Sequence, residues 1–316
     1  MPSELHESGH EIKISAPAET VYGLLARAED WPRLFPPNIH VEQVECGEHE
    51  ERIRIWATAG DTVKNWTSHR RLDPEHLRIR FRQEITAPPV AAMGGEWHIE
   101  ALPSGESVVR LAHDYRAADS ASLAWLHDVV DRNSRSELDS LKSLAESPVD
   151  DGLTCSFEDT VRIRGEVGDV YDFIDRADLW TERLPHVLAV RLQEPAPGLQ
   201  TLEMDTLAKD GSSHTTRSYR VGLPPHRIVY KQVTLPALLT LHTGRWTIVP
   251  ADGGGVTASS QHTFTVDADA VEKVLGAGAT VPDAVAYART ALSTNSLATL
   301  SLAREHAERR AEGARP

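Results

Sequence analysis

The sequence predicts an α+β protein built from two tandem copies of one domain, each an antiparallel sheet wrapped around a long C-terminal helix with an internal cavity. Three observations predict this: a gapless internal repeat, a series of period-two segments within a copy, and a long amphipathic segment at its end. The repeat is the strongest. "VYGLLARAEDWPRLFPPNIHVEQVE" from Val21 and "VYDFIDRADLWTERLPHVLAVRLQE" from Val170 align without a gap at an offset of 149 residues. The same offset carries Trp31 onto Trp180, Pro36 onto Pro185, Gln83 onto Gln232, Gly95 onto Gly244, Trp97 onto Trp246 and His113 onto His262. A constant shift held this long marks a duplicated unit. The chain of 316 residues also suits two domains of ordinary size. The domains are expected at 1–148 and 152–316, parted within "AESPVDDGLT", residues 145–154, where Pro, Asp and Gly interrupt a helical pattern.

Within the first copy an alternating strand, "HEIKIS", runs into Ser15 and Pro17. These fit an N-cap and an early-turn proline opening a helix through Val21, Leu24 and Leu25. After "WPRLFPP" come period-two strands at 40–46, 51–58, 63–72, 76–85, 95–101 and 106–116. A helix is expected from about Ser120 to Glu146, with Val129, Val130, Leu138, Leu141 and Leu144 on its apolar side. An antiparallel sheet with one apolar face needs a cover, and this helix is available. In the second copy "KVLGAGATVPDAV" interrupts the helical pattern, so its covering helix is expected to bend or loosen there. The "DGGG" at 252–255 reads as a hairpin turn, because no helix follows to make a phosphate loop.

Composition excludes several functions. The formal net charge of −14 opposes general affinity for nucleic acid or anionic membrane, both of which need a positive field. No apolar run approaches the ~18 residues of a spanning helix. The N-terminal stretch lacks the basic and apolar parts of a signal peptide, so a cytoplasmic location is expected. Cys46 and Cys155 form no CxxC pair, and the fifteen histidines are read as forming no HxxxH or HExxH pair that would bring two imidazoles to one ion, so no metal is expected.

The strand "HLRIRFRQEI" settles which face is inward. Leu77, Ile79, Phe81, Gln83 and Ile85 share one face, and Arg78, Arg80 and Arg82 the other. On "KNWTSHRRLD" the bulky Trp66 is in phase with Ser68, Arg70 and Leu72, which places Arg70 inside. A buried cation is costly unless a carboxylate, water or ligand satisfies it. Arg70 is therefore either a functional group or one that snorkels or pairs with an acidic residue of the long helix. His113 lies on another inward register with Val109, Leu111 and Tyr115, and is either a hydrogen-bonded core residue or part of a site. The convergence of Trp, Ser, Arg and His on one cavity favours a site. At the fixed offset Trp66, Ser68 and Arg70 fall on Thr215, Arg217 and Tyr219. The second copy's inward arginine is thus expected two residues earlier, a displacement of about 6.6 Å at ~3.3 Å per residue.

In "WPRLFP", "WTSHRRLD", "GGEWHIEA" and "RNSRSELDSLKSLAE" the first copy resembles the aromatase/cyclases of aromatic (type II) polyketide synthases, members of the START/Bet v 1-like helix-grip superfamily. The duplicated layout is similar to their two-domain subgroup. The family's Trp-x-Ser-x-Arg motif falls on Trp66, Ser68 and Arg70, and its aromatic mouth on Trp31 and Phe35. A tyrosine found in some members is Asn38 here, so no role is carried over to it.

The resemblance implies no cofactor. It implies a substrate that is a poly-β-ketone, already reduced at one carbonyl and bound to an acyl carrier protein, with the pathway's ketosynthase or ketoreductase as further partners. Ring closure by aldol condensation and dehydration to an aromatic ring are the implied reactions. Arg70, His113 and Ser68 are the expected catalytic groups, and Trp31, Phe35, Trp66, Phe81, Trp97, Tyr115, Arg217, Tyr219 and His262 the expected substrate-binding ones. Arg71, Arg78, Arg80 and Arg82 are either a docking patch for an acidic carrier protein or a solvated sheet face. The competing classes are a non-catalytic carrier of a hydrophobic small molecule, for which an inward Arg beside a His has less use, and a structural module holding synthase subunits together.

Overall fold

The computed structural model describes residues 4–60, 62–147, 152–207, 211 and 213–313. The chain divides into two compact units, Met1–Val149 and Asp150–Pro316. The expected boundary lies partly on residues 148–151, outside the described residues, as do positions 1–3 and 314–316.

The first unit runs β1 (His6–Ile14), α1 (Ala18–Ala26), α2 (Trp31–Leu34), β2 (Asn38–Cys46), β3 (Glu50–Ala59), β4 (Thr62–Asp73), β5 (Arg78–Ile85), β6 (Val90–Ala101), β7 (Ser107–Ala117) and α3 (Leu123–Ala145). Its seven strands form one sheet in the order β1-β7-β6-β5-β4-β3-β2, antiparallel throughout. The link between β1 and β2 joins opposite edges of the sheet and carries α1 and α2. The apolar stripe of α3 buries Leu138 and Leu141 with Ile14, Leu25, Ile53, Ile79, Ile99, Val109 and Leu111. Full burial of such a side chain stabilises by about 1.5–3 kcal/mol, which is why the inward face is apolar wherever no function requires otherwise.

Local departures from the expected elements have simple causes. Pro17, in extended conformation, occupies the N-cap of α1 and no side chain caps the helix; Ser15 instead donates its backbone N–H to Glu146. The strand after the β4 turn begins at Arg78, because Leu77 takes φ of 51° in the turn itself. Ile85 is 65% exposed and Leu144 39%, both at element ends beyond the facing element.

The second unit repeats the plan: β8 (Thr154–Ile163), α4 (Val167–Asp175), α5 (Trp180–Arg183), β9 (Val187–Ala196), β10 (Leu199–Leu207), β11 (Ser213–Leu223), β12 (Arg227–Thr234), β13 (Leu239–Pro250), β14 (Val256–Val266), α6 (Val271–Leu275) and α7 (Val281–Gly313). The sheet order β8-β14-β13-β12-β11-β10-β9 matches the first. Gly276 and Gly278, both at positive φ, break the helical segment between α6 and α7. The long helix restarts cleanly: Thr280 accepts from Asp283 N–H, and the Asp283 carboxylate accepts from Thr280 N–H, a reciprocal cap. Residues 252–255 form the β13–β14 hairpin connection, with Gly253, Gly254 and Gly255 at positive φ.

The constant offset conceals two compensating changes. Between the paired residues Thr58 and Val63 lie four positions, and between Leu207 and Ser213 lie five. Between Asp73 and Arg78 lie four, and between Leu223 and Arg227 lie three. One residue is gained before β11 and one lost after it, so β11 alone is displaced by one. In a strand of period two, that slip reverses every side chain.

Gly95 positions the site. It pairs with Phe81 on one side and His113 on the other, and a Cβ there would strike the Phe81 ring and the Ala112 carbonyl oxygen. The missing side chain gives the Phe81 ring its seat. Gly244 does the same for Tyr230. Gly95→Ala is expected to destabilise the first unit by about 1–3 kcal/mol through overpacking, read as a lowered denaturation midpoint with unchanged m-value.

Candidate active site

The first unit encloses a cavity of about 160 Å³ between its sheet and α3. Its wall includes Trp31, Phe35, Trp66, Ser68, Arg70, Phe81, Trp97 and His113, with Ser134 and Glu137 from α3. Trp31 meets Phe35 edge-on at 5.7 Å, and Phe35 stacks on Trp97 at 6.5 Å. These rings form a continuous aromatic wall. The indole N–H of Trp31 donates to the Leu25 carbonyl, tying the wall to α1.

Arg70 is 1% exposed and heavily engaged. Its Nη1 donates to Glu51 Oε1 at 2.6 Å and to the Ala26 carbonyl at 3.4 Å; its Nη2 donates to the Leu25 carbonyl at 2.7 Å. The guanidinium also lies 4.8 Å from the centre of the Trp31 ring. The expected carboxylate partner thus comes from β3, directly opposite Arg70, and not from the long helix. Burial lowers the Arg70 pKa to about 10, opposed chiefly by Glu51, so it stays a cation at neutral pH. A guanidinium has five N–H donors, and these contacts occupy three. Arg70, which also lines the cavity, is therefore first a clamp on the C-terminal carbonyls of α1, with two N–H donors left over.

His113 is less engaged. Its Nδ1 lies 3.5 Å from Ser134 Oγ, and its ring meets Phe81 edge-on at 5.5 Å. Burial drives its pKa down to about 4, so the imidazole is neutral at pH 7 and able to accept a proton. Glu137 lies one helical turn beyond Ser134 on the same wall. Burial raises its carboxyl pKa to about 7. Sequence reading missed this residue, although Ser134 and Glu137 interrupt an otherwise apolar helix face beside Leu138 and Leu141.

The second unit has its own cavity of about 130 Å³. Its inward arginine is Arg220, with Ser218 and Thr216 in phase, and not Arg217. Arg220 donates to Gln200 Oε1 at 2.7 Å, to the Ile174 carbonyl at 2.7 Å and to the Asp175 carbonyl at 3.4 Å, and lies 5.0 Å from the Trp180 ring centre. The clamp is thus repeated with a neutral amide where the first unit has a carboxylate. Arg217 and Tyr219, expected to bind substrate, fall on the opposite face because of the one-residue slip; Arg217 lies 5.8 Å over the Tyr219 ring.

His262 does face the second cavity, within a closed polar network. Gln232 Oε1 lies 2.8 Å from His242 Nδ1, His242 Nε2 lies 3.0 Å from His262 Nδ1, and His262 Nε2 lies 2.6 Å from Ser296 Oγ and 3.0 Å from Ser260 Oγ. Tyr230 Oη, at the place of Phe81, lies 3.1 Å from His262 Nδ1. Burial lowers His242 to about 3 and His262 to about 4, so both are neutral at pH 7. The inward replacements Phe81 to Tyr230 and Met93 to His242 were the available signal for this network.

Three further expectations need correction. Tyr115 is absent from the cavity wall: two residues beyond His113 on β7, it packs with Leu126 and Val130, and its hydroxyl meets His127 Nδ1 at 2.7 Å. The outward arginines do not form a free basic patch. Arg71 pairs with Glu50, Arg80 and Arg78 with Glu96, and Arg82 with Asp114. Finally, "HESGH" at 6–10 has the HExxH spacing, but it lies on β1, where positions four apart are separated by roughly 13 Å instead of sharing a helix face. Among the described residues no group of three or more His, Cys, Asp or Glu is placed to hold a metal ion, and no helix is long and apolar enough to cross a membrane.

The two arginine clamps are expected to differ in stability. Arg70→Ala leaves the buried Glu51 without its cation and should cost about 3–5 kcal/mol, whereas Arg220→Ala breaks no direct ion pair, leaving an amide and carbonyls without their donor and the part-buried Asp175 carboxylate without its nearby cation, and should cost about 1–3 kcal/mol. Adding Glu51→Gln to Arg70→Ala should recover part of the loss. Chemical denaturation of the four proteins checks the order.

Comparison with known proteins agrees with this architecture. The polyketide cyclase / dehydrase and lipid transport family matches residues 14–138, and a second family of the same description matches residues 154–301. The bifunctional cyclase/dehydratase of the granaticin polyketide synthase from Streptomyces virginiae is 50% identical over 292 residues, 92% of this chain and 96% of the relative. The corresponding actinorhodin protein from Streptomyces coelicolor is 47% identical over 307 residues, 93% of this chain and 95% of the relative. The crystal structure of the di-domain ARO/CYC BexL from the BE-7585A biosynthetic pathway superposes with a TM-score of 0.86 at 56% identity, covering 98% of this chain and all of BexL. With a duplicated sheet-and-helix plan, two aromatic-lined cavities and relatives matched along nearly their whole length, the chain belongs to the two-domain polyketide cyclase/dehydratases, the aromatase/cyclases of aromatic polyketide biosynthesis.

Proposed function

We propose that the first cavity is where a ketoreduced poly-β-ketone, delivered on an acyl carrier protein, folds, closes its first ring by aldol condensation and begins dehydration. One observation carries the choice of cavity: its polar groups have unspent capacity. Glu137 has no hydrogen bond or ion pair among the described residues, and His113 has only a contact of 3.5 Å with Ser134. In the second cavity His242 and His262 satisfy each other and their neighbours. A group already paired must break a bond before it reacts; an unpaired one does not.

The chemistry follows from the substrate. A proton between two carbonyls is acidic, and such chains cyclise unaided at several positions, so holding one fold of the chain matters as much as lowering a barrier. The aromatic wall of Trp31, Phe35, Trp66, Phe81 and Trp97 supplies the shape. His113, neutral at pH 7 although a weaker base than free imidazole, accepts the carbon-bound proton. The enolate carbon attacks a carbonyl, and charge grows on that oxygen. A spare N–H of Arg70 donates to it in a low-dielectric setting, where loss of one such donor costs about 2.7–4 kcal/mol. Ser68 orients a substrate oxygen or a water beside it. The second cavity, with its own clamp and saturated network, binds or braces.

The test is a product profile by liquid chromatography and mass spectrometry, with the protein added to a minimal aromatic polyketide synthase and ketoreductase. Wild type is expected to divert the mixture to a product with an aromatic first ring. Arg70→Lys, which keeps the charge but loses the fork, is expected to reduce the diversion about 10²-fold or more while remaining folded, and Arg217→Ala to leave it unchanged. A mixture unaffected by wild type would replace this reading with that of a ligand carrier.

A further inference from the structure

An acceptor on the wall of the first cavity has no donor among the described residues. We propose that Gln83 sets the specificity for a ketoreduced chain: its side-chain carbonyl accepts a hydrogen bond from the hydroxyl at the reduced carbon. The inference rests on the reaction assigned above to this cavity and names the residue that reads the state of the substrate.

Gln83 faces the cavity from β5, directly opposite Ser68 of β4, which also lines it. Its Nε2 donates to Met93 Sδ at 3.4 Å, and a thioether is a weak acceptor. That contact sets the orientation of the amide, since the reverse would place its oxygen against the sulfur, two acceptors together. The Oε1 is shut off from solvent and meets no donor among the described residues. The second copy shows what the same amide does when a donor is supplied. Gln232 lies opposite Ser218 in the same register, and its Oε1 lies 2.8 Å from Nδ1 of His242, which stands at the place of Met93. One replacement therefore separates a satisfied amide from an unsatisfied one. A buried acceptor left without a donor is costly, and its presence on a cavity wall calls for a ligand that brings one.

The chemistry of the chain selects that donor. Each ketone of a poly-β-ketone has only an acceptor oxygen, which suits the N–H groups of Arg70, Trp66 and Trp97 on the same wall. An enol formed from two neighbouring ketones has an O–H, but that hydrogen is held by the second oxygen within the chain. The reduced carbon bears its hydroxyl on a saturated centre, which donates outward. Between the two strands this hydroxyl donates to Gln83 Oε1 and accepts from the Ser68 hydroxyl. An unreduced chain puts a ketone oxygen against Gln83 Oε1, acceptor to acceptor, and is rejected because the buried acceptor stays unpaired. The reaction that supplies this substrate is therefore a carbonyl reduction, complete before the chain enters.

The test uses the full chain with the minimal synthase and a limiting amount of ketoreductase, so that reduced and unreduced chains compete for the same protein and their ring-closed products are told apart by mass. The readout is the ratio of the two products, corrected for the mixture formed without the protein; a general loss of turnover leaves this ratio unchanged. Wild type is expected to favour the reduced chain, and Gln83→Met, close in size but without the amide, to lower that preference about 10–100-fold. Met93→His supplies the second copy's donor to the amide. It is expected to lower the preference in the same way while raising the denaturation midpoint, because the orphaned oxygen is then satisfied within the protein. A ratio unchanged in Gln83→Met, or turnover lost equally on both chains, overturns the assignment and makes Gln83 a part of the wall only. If wild type converts reduced and unreduced chains alike, the assignment also fails, while the reading of the cavity stands. If wild type closes neither chain, the reading of the cavity fails first, and this one with it.

Discussion

The fold depends on how a buried arginine is satisfied. Each sheet carries a buried guanidinium on its inward face, where an unpaired charge would be strongly destabilising. In both units the solution is the same: the guanidinium donates to the last carbonyls of the short helix after the first strand and lies against the tryptophan that follows. Those carbonyls have no partner within their helix and form the negative end of its dipole, so a cation is favourable there. One interaction thereby fixes the helix end, the aromatic wall and the cavity floor together. It also explains why the arginine persists in both copies although only one is assigned the chemistry.

The copies diverge in how they use the remaining polar capacity. In the first, Glu51 neutralises the clamp, and His113 and Glu137 are left facing the cavity. In the second, a neutral Gln200 replaces the carboxylate, and Tyr230 and His242 replace Phe81 and Met93, producing a hydrogen-bonded chain through His262 to Ser296. A fully satisfied buried network rigidifies a core, while an unsatisfied polar group is costly and calls for a reason such as a part in binding or catalysis. Duplication has separated these two uses of one scaffold.

Much of this was legible in the sequence, and the reasons differ by residue. The sheet and helix order followed from period-two and helical patterning. Trp66, Ser68 and Arg70 could be placed inward because Leu77, Ile79 and Phe81 set the phase of the neighbouring strand. The partner of Arg70 could not be read, since Glu51 meets it only through the β3–β4 register. Arg220 was hidden by a residue gained before β11 and another lost after it, which together preserve the offset on both sides. Tyr115 shows the limit of alternation: it shares the phase of His113, yet two residues along the strand carries it past the cavity. Glu137 was visible only as a carboxyl on an apolar helix face, and its role depends on what the sheet places opposite.

The central claim is that the unspent polar groups of the first cavity do the chemistry and the hydrogen-bonded His242–His262 chain of the second does not. The most direct measurement compares turnover to cyclised product for His113→Gln and His262→Gln under identical reconstitution, with folding verified for both. The account predicts a loss of about 10²–10⁴-fold for His113→Gln and a change of no more than a few-fold for His262→Gln. Wild-type turnover in His113→Gln together with a large loss in His262→Gln would contradict it and move the reaction to the second cavity.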